Sequence, residues 1–84
     1  MNDKTVVLMP TYDEIENIDH MAADVRAQGV SLLVIDDNSP DGTGERADAL
    51  ADADAHIHVL HRPGKQGLGP AYLAGFDWAL AHGF

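Results

Sequence analysis

Apolar and polar positions alternate along this chain in blocks that repeat three times. The run Thr5-Val6-Val7-Leu8-Met9 is short, apolar and partly β-branched, and predicts a first strand that Pro10, which has no N–H for the ladder, brings to an end. Ile15, Ile18, Met21, Ala22 and Val25 then recur at helical spacing, predicting a helix over roughly 14–28 with Gly29 as its cap. Residues 30–35 read as a second strand. A second helix follows over about 44–53, with Thr43 as N-cap and a narrow apolar face of Ala47, Leu50 and Ala51. His56, Ile57, His58, Val59 and Leu60 predict a third strand interrupted by histidines. The third helix opens with Pro70 near its first position and sets Leu68, Ala71, Tyr72, Gly75, Phe76, Ala79 and Leu80 on one stripe until Gly83.

A strand–helix unit repeated three times, with connections of more than a dozen residues, predicts an α/β fold built on a parallel sheet. From Leu32 to Ile35 the second strand is wholly apolar, as a strand covered on both faces should be. The polar, glycine-rich connections 10–13, 36–42 and 62–69 all fall at the carboxyl ends of the strands, where open α/β sheets bind ligands.

Composition narrows the function. Eighty-four residues make one small domain at most, of marginal stability. The formal charge of −9 argues against nonspecific nucleic-acid binding, and only Arg62 and Lys65 are placed to offset the repulsion of a bound anion. No cysteine is present, which excludes disulfides and thiolate metal sites and fits a reducing compartment. Apolar stretches of about five residues are far below the roughly 20 needed to span a bilayer, so the expectation is a soluble segment.

The most informative stretch is the apolar strand that runs straight into Asp36 and Asp37 and then into the turn Asn38-Ser39-Pro40-Asp41-Gly42. Aspartates in turns satisfy local backbone donors. Two adjacent carboxylates repel each other, however, a cost more often kept for ligand binding. Successive side chains alternate faces, so one of the pair at most points at a given ligand. Pro10-Thr11-Tyr12-Asp13-Glu14 puts a ring and a carboxylate beside a fixed turn. Tyr12 against a base and Glu14 accepting from its exocyclic nitrogens is one reading; taken alone, the segment reads better as a plain strand-to-helix turn, with Glu14 complementing the helix N-terminus. Gly64-Lys65-Gln66-Gly67-Leu68-Gly69 can present N–H groups and a lysine to phosphate, yet it is neither a Walker A loop nor the dinucleotide fingerprint.

Three other features read as structural. Asp52-Ala53-Asp54 imitates an Asp-x-Asp metal motif but precedes the third strand, at the opposite edge, and is expected to be a solvated helix end. His56, His58 and His61 have no zinc spacing and suit a partly exposed edge strand. Phe76 and Trp78 sit at helical spacing and are expected in the core.

Taken in order, Val6-Val-Leu-Met-Pro-Thr-Tyr-Asp-Glu-x-Glu-Asn-Ile18, Leu33-Val-Ile-Asp-Asp-Asn-Ser-Pro-Asp-Gly-Thr43 and Gly64-Lys-x-Gly-Leu-Gly-x-Ala-Tyr-x-x-Gly-Phe76 resemble family-2 glycosyltransferases of the polyprenol-phosphate (dolichol-phosphate) mannosyltransferase kind. The resemblance spans nearly the whole chain; Asp13 departs from it, standing where the family usually has asparagine, a change expected to be tolerated. It implies a GT-A, Rossmann-like, three-layer fold. It also implies a nucleotide sugar such as GDP-mannose, Mg²⁺ or Mn²⁺ as cofactor, and transfer of the sugar with inversion to a membrane polyprenyl phosphate. A cytoplasmic location, at the cytoplasmic face of the membrane, is the matching expectation. Carried over by residue, Pro10, Tyr12 and Glu14 would form part of the nucleoside pocket, Ile35 and Asp37 would close it, and Lys65 would lie toward the diphosphate or acceptor. Asp37 is then a binding residue rather than a general base.

The family's metal-holding Asp-x-Asp lies on a strand after the third helix, and this sequence ends at Phe84 without it. The expectation is therefore an amino-terminal portion of a longer enzyme, with metal ligands beyond it and no transfer by these residues alone. The first strand would have a bare edge, to be covered by the rest of the enzyme or another chain. The competing class is a non-catalytic nucleotide-binding or interaction module that pairs through that edge.

Overall fold

The central strand explains the architecture. In a computed structural model describing residues 4–64 and 67–84, β2 (Ser31–Asp36) is buried at every position. Its sequence lacks alternation because both of its faces are covered. β1 (Val6–Thr11) and β3 (Ile57–His61) flank it in parallel, giving the order β1-β2-β3, with Val6 opposite Ser31 and Leu32 opposite Ile57. Helices α1 (Ile18–Ala27) and α2 (Thr43–Ala53) cover one face, where Met9, Ile18, Ala22, Leu32, Val34, Ala47 and Ile57 form a core. Helix α3 (Leu68–Ala81) covers the other, over Leu33, Ile35 and Ala71 with Val6, Leu8, Leu60 and Trp78 packed around them. The expected three-layer α/β fold with three βα units is what forms.

Several boundaries differ from expectation, each for a physical reason. β1 runs through Pro10 instead of stopping before it. The carbonyls of Thr5 and Thr11 accept N–H groups of Ser31 and Asp37, so odd-numbered residues face β2 and Pro10 turns its missing donor to the open edge. Helix α1 starts at Ile18, four residues later than expected, after a separate turn in which the Glu14 carbonyl accepts the N–H groups of Asn17 and Ile18. Thr43 is the first residue of α2 rather than its cap; Gly42, at φ +92°, holds the cap position. Gly29 ends α1 at φ +77°, as its position suggested.

The stripe on α3 divides. Only its small members, Ala71, Gly75 and Ala79, face the sheet, while Leu68, Tyr72, Phe76 and Leu80 point outward. Small residues allow close approach: a Cβ on Gly75 would stand 2.7 Å from Ile35 Cδ1 and 3.1 Å from Leu8 Cδ1. Phe76 is therefore outside the core, contrary to expectation. Trp78 is partly buried, stacked on His82 at 4.0 Å and tilted against His58 at 5.0 Å. Asp54 is more than a solvated helix end, since it accepts from Arg26 Nε at 2.7 Å and from the His56 N–H at 2.9 Å. Among the described residues, no helix is long and apolar enough to cross a membrane.

Candidate functional site

Strand alternation separates the two carboxylates. Leu33 and Ile35 face α3, and Asp37, two residues on, falls on the same side; Leu32, Val34 and Asp36 face α1 and α2. The Asp37 N–H still donates to the Thr11 carbonyl at 3.2 Å, so the ladder holds Asp37 at the end of the sheet. It lines an open cleft of about 230 Å³ together with Pro10, Thr11, Tyr12, Glu14, Gly67 and Leu68. Beside it, Arg62 Nη1 donates to Asp37 Oδ1 at 3.2 Å, each side chain being 9% exposed. Asn38, at φ +55°, ties the two loops by donating from Nδ2 to the Pro63 carbonyl at 3.3 Å.

The β1–α1 loop that carries Tyr12 and Glu14 is held from outside itself. Asp13 N–H donates to Ser39 Oγ at 3.0 Å, Glu14 N–H to Thr43 Oγ1 at 2.9 Å and Ile15 N–H to Asp41 Oδ2 at 3.1 Å. The Thr43 hydroxyl in turn donates to Asp41, and this bond, with the Ile15 and Thr43 N–H groups, keeps the Asp41 carboxyl below the ordinary carboxylate value despite some opposing desolvation. Asp13 has φ +58°, a left-handed conformation that asparagine and aspartate adopt more readily than other side chains, which accounts for either residue serving at that position.

Of the residues singled out from sequence, Pro10, Tyr12, Glu14 and Asp37 come together on one cleft. Ile35 does not line it. That side chain is fully buried below, against α3 at Gly75. Lys65 lies outside the described residues. Thr11, Gly67 and Leu68 line the cleft without having been singled out, and the pairing of Arg62 with Asp37 was not anticipated. The oxygens of Ser39, Asp41 and Thr43, at every second position of one loop, were the legible sign that it grips a neighbour.

Among the described residues, no group of three or more histidine or carboxylate side chains could hold a metal ion. A second cleft, of about 310 Å³ and largely apolar, lies between the open edge of β1 and α3, lined by Val6, Leu8, Phe76 and Leu80 among others. It is away from the carboxylates.

A three-layer parallel α/β fold with an open cleft outside the carboxyl ends of its strands is of the Rossmann-like class. The Glycosyl transferase family 2 profile matches residues 6–81, and the chain belongs to that family. It is 52% identical over 84 residues to the polyprenol monophosphomannose synthase of Mycolicibacterium smegmatis, a match covering 96% of this chain and 32% of that protein. It is 46% identical over 83 residues to the undecaprenyl-phosphate mannosyltransferase of Micrococcus luteus, covering 96% and 34%. With the dolichol-phosphate mannosyltransferase of Pyrococcus furiosus the identity is 36% over 80 residues, covering 90% and 22%. The chain thus spans between 22% and 34% of the length of these curated relatives.

Proposed function

We propose that this chain forms the nucleoside-binding side of a GT-A mannosyltransferase that moves mannose from GDP-mannose to a polyprenyl phosphate at the cytoplasmic face of a membrane. Membership of the family and the mannosyl transfer named for its relatives support the reaction class. The observation that carries the reading is the cleft itself, in which the Arg62-paired carboxylate of Asp37 faces the segment of Pro10, Tyr12 and Glu14. In this role Tyr12 offers a ring face to the base, Glu14 accepts from exocyclic nitrogens, and Asp37 accepts from ribose or base donors. Arg62 keeps Asp37 oriented as an acceptor. A general base is not required, since an acceptor phosphate is already anionic and positioning carries the rate. Mg²⁺ or Mn²⁺ is proposed as cofactor, held by carboxylates other than those described and supplying charge stabilisation to the leaving diphosphate. Lys65 is proposed to lie toward the diphosphate, and transfer is proposed to need more than these 84 residues.

Calorimetric titration of the protein with GDP, GDP-mannose, UDP and NAD tests the reading. GDP and GDP-mannose should bind most tightly, and Asp37→Asn should weaken both by roughly tenfold or more, a loss of at least about 1.4 kcal/mol. Tightest binding to NAD would sink the assignment. The open edge of β1 and the apolar cleft beside it favour a second reading, a non-catalytic module that pairs through that edge. Transfer of labelled mannose to polyprenyl phosphate in vesicles by a longer protein that contains these residues dismisses it.

A further inference from the structure

Asp36 is a buried carboxylate that the cleft does not use. It is 1% exposed and is absent from the cleft lining. Burying a carboxylate is costly unless its oxygens are hydrogen-bonded, and these are. Oδ1 accepts the Thr11 hydroxyl at 2.8 Å and the Ser39 hydroxyl at 2.7 Å, while Oδ2 accepts the Ser39 N–H at 3.0 Å. Ser39 Oγ also accepts the Asp13 N–H at 3.0 Å. A backbone N–H can only donate, and the carboxylate accepts, so the Ser39 hydroxyl has one orientation: proton to Asp36, lone pair to Asp13.

Tyr12 therefore stands between two residues that are both anchored on Asp36, Thr11 directly and Asp13 through Ser39. We infer that Asp36 is a positioning residue of the cleft, fixing the backbone on both sides of Tyr12 and so the separation between that ring and Asp37. Asp13 at φ +58° is held in a conformation that a free loop would readily leave, so the Ser39 bond sets the backbone just after Tyr12, while Glu14 is held separately by Thr43. Gly44 leaves room for the carboxylate, for a Cβ there would come within 2.9 Å of Asp36 Oδ2. The inference rests on reading the cleft as the nucleoside site.

The test compares GDP affinity, by calorimetry well below the melting midpoint, for the wild-type protein, Asp36→Asn, Ser39→Ala and the double variant. Neither residue lines the cleft, so a loss of affinity reports position rather than contact. Each single variant should weaken GDP binding by about ten- to a hundredfold, as loss of the outer supports of a binding group does. The double variant should bind no worse than Asp36→Asn, because the two changes break one path. Binding within twofold of wild type in Ser39→Ala overturns the inference, whatever happens to its melting midpoint, as does failure of both single variants to fold. A wild-type protein that binds no GDP overturns the nucleoside reading itself; wild-type binding with unaffected variants overturns the positioning role alone.

Discussion

Replacing Arg62 with methionine removes a charge from beneath the cleft while keeping a long apolar stem in its place. The ion pair it breaks has an N–O distance of 3.2 Å and side chains each 9% exposed, so the Asp37 carboxylate stays buried after its cation has gone. Breaking a pair of this kind costs about 3–5 kcal/mol, whereas an exposed pair contributes at most about 1 kcal/mol. A domain of this length is stable by only about 0.05–0.15 kcal/mol per residue, roughly 4–13 kcal/mol in all. At about 4–8 °C per kcal/mol, Arg62→Met should lower the melting midpoint by at least about 12 °C. Circular-dichroism melts measure this directly, and the loss should persist in high salt, because a buried pair is poorly screened. Adding Asp37→Asn should recover more than about 1 kcal/mol, since the penalty lies in the stranded charge. A drop below about 4 °C, or a double variant no better than the single one, would refute the reasoning.

Acidification should lower the midpoint in two steps. Burial, with His82 and His56 nearby, holds His58 below its ordinary 6.5, so the unfolded chain takes the proton more readily. The stability from His58 is complete above 6.5 and is lost as pH falls below it; His58→Phe should remove this step, and a midpoint that rises between pH 7 and 5 contradicts it. Asp54, held below 3.8 by the His56 N–H and Arg26, and Asp41, held there by Thr43, contribute above 3.8 and lose that contribution below it. Gly44→Ala gains at most about 1 kcal/mol of helix propensity but crowds Asp36 Oδ2 and His61 Cε1, for a net loss of about 1 kcal/mol in urea unfolding. An unchanged midpoint there would mean that the carboxylate moves freely. Pro10→Ala should cost about 0.4–1 kcal/mol through the unfolded chain alone, because its new N–H would face the open edge; a gain in stability would mean that this donor finds a partner.

What the sequence made legible was periodicity and chemistry near each residue. The unbroken run 32–35 identified a strand covered on both sides, and alternation limited the ligand-facing carboxylate to one of Asp36 and Asp37; the choice of Asp37 came from the family resemblance. Orientation across the sheet was not legible. Which side of an edge strand the nitrogen of Pro10 faces depends on register with β2, and no property of residues 5–11 sets that. The path of the chain into α1 was hidden likewise, since the N–H groups of Asp13, Glu14 and Ile15 are taken by Ser39, Thr43 and Asp41, 26–29 residues away. On α3, large and small apolar residues share one helical period. Only the distance to Ile35 and Leu8 decides that Gly75 faces inward and Phe76 outward. Ile35 shares a face with Asp37 but sits one pleat deeper, which spacing alone does not convert into cleft or core.

Three consecutive N–H groups, from Asp13 to Ile15, meet three side chains that alternate along the facing loop. Such matching has a consequence for how this region can vary in evolution. Surface loops ordinarily absorb insertions and deletions. A single residue gained or lost between Asp13 and Ile15, or between Ser39 and Thr43, would pull at least one of these donors away from its acceptor. The lengths of the two loops can change only together, so natural diversity at this edge should come by exchange of side chains at fixed length.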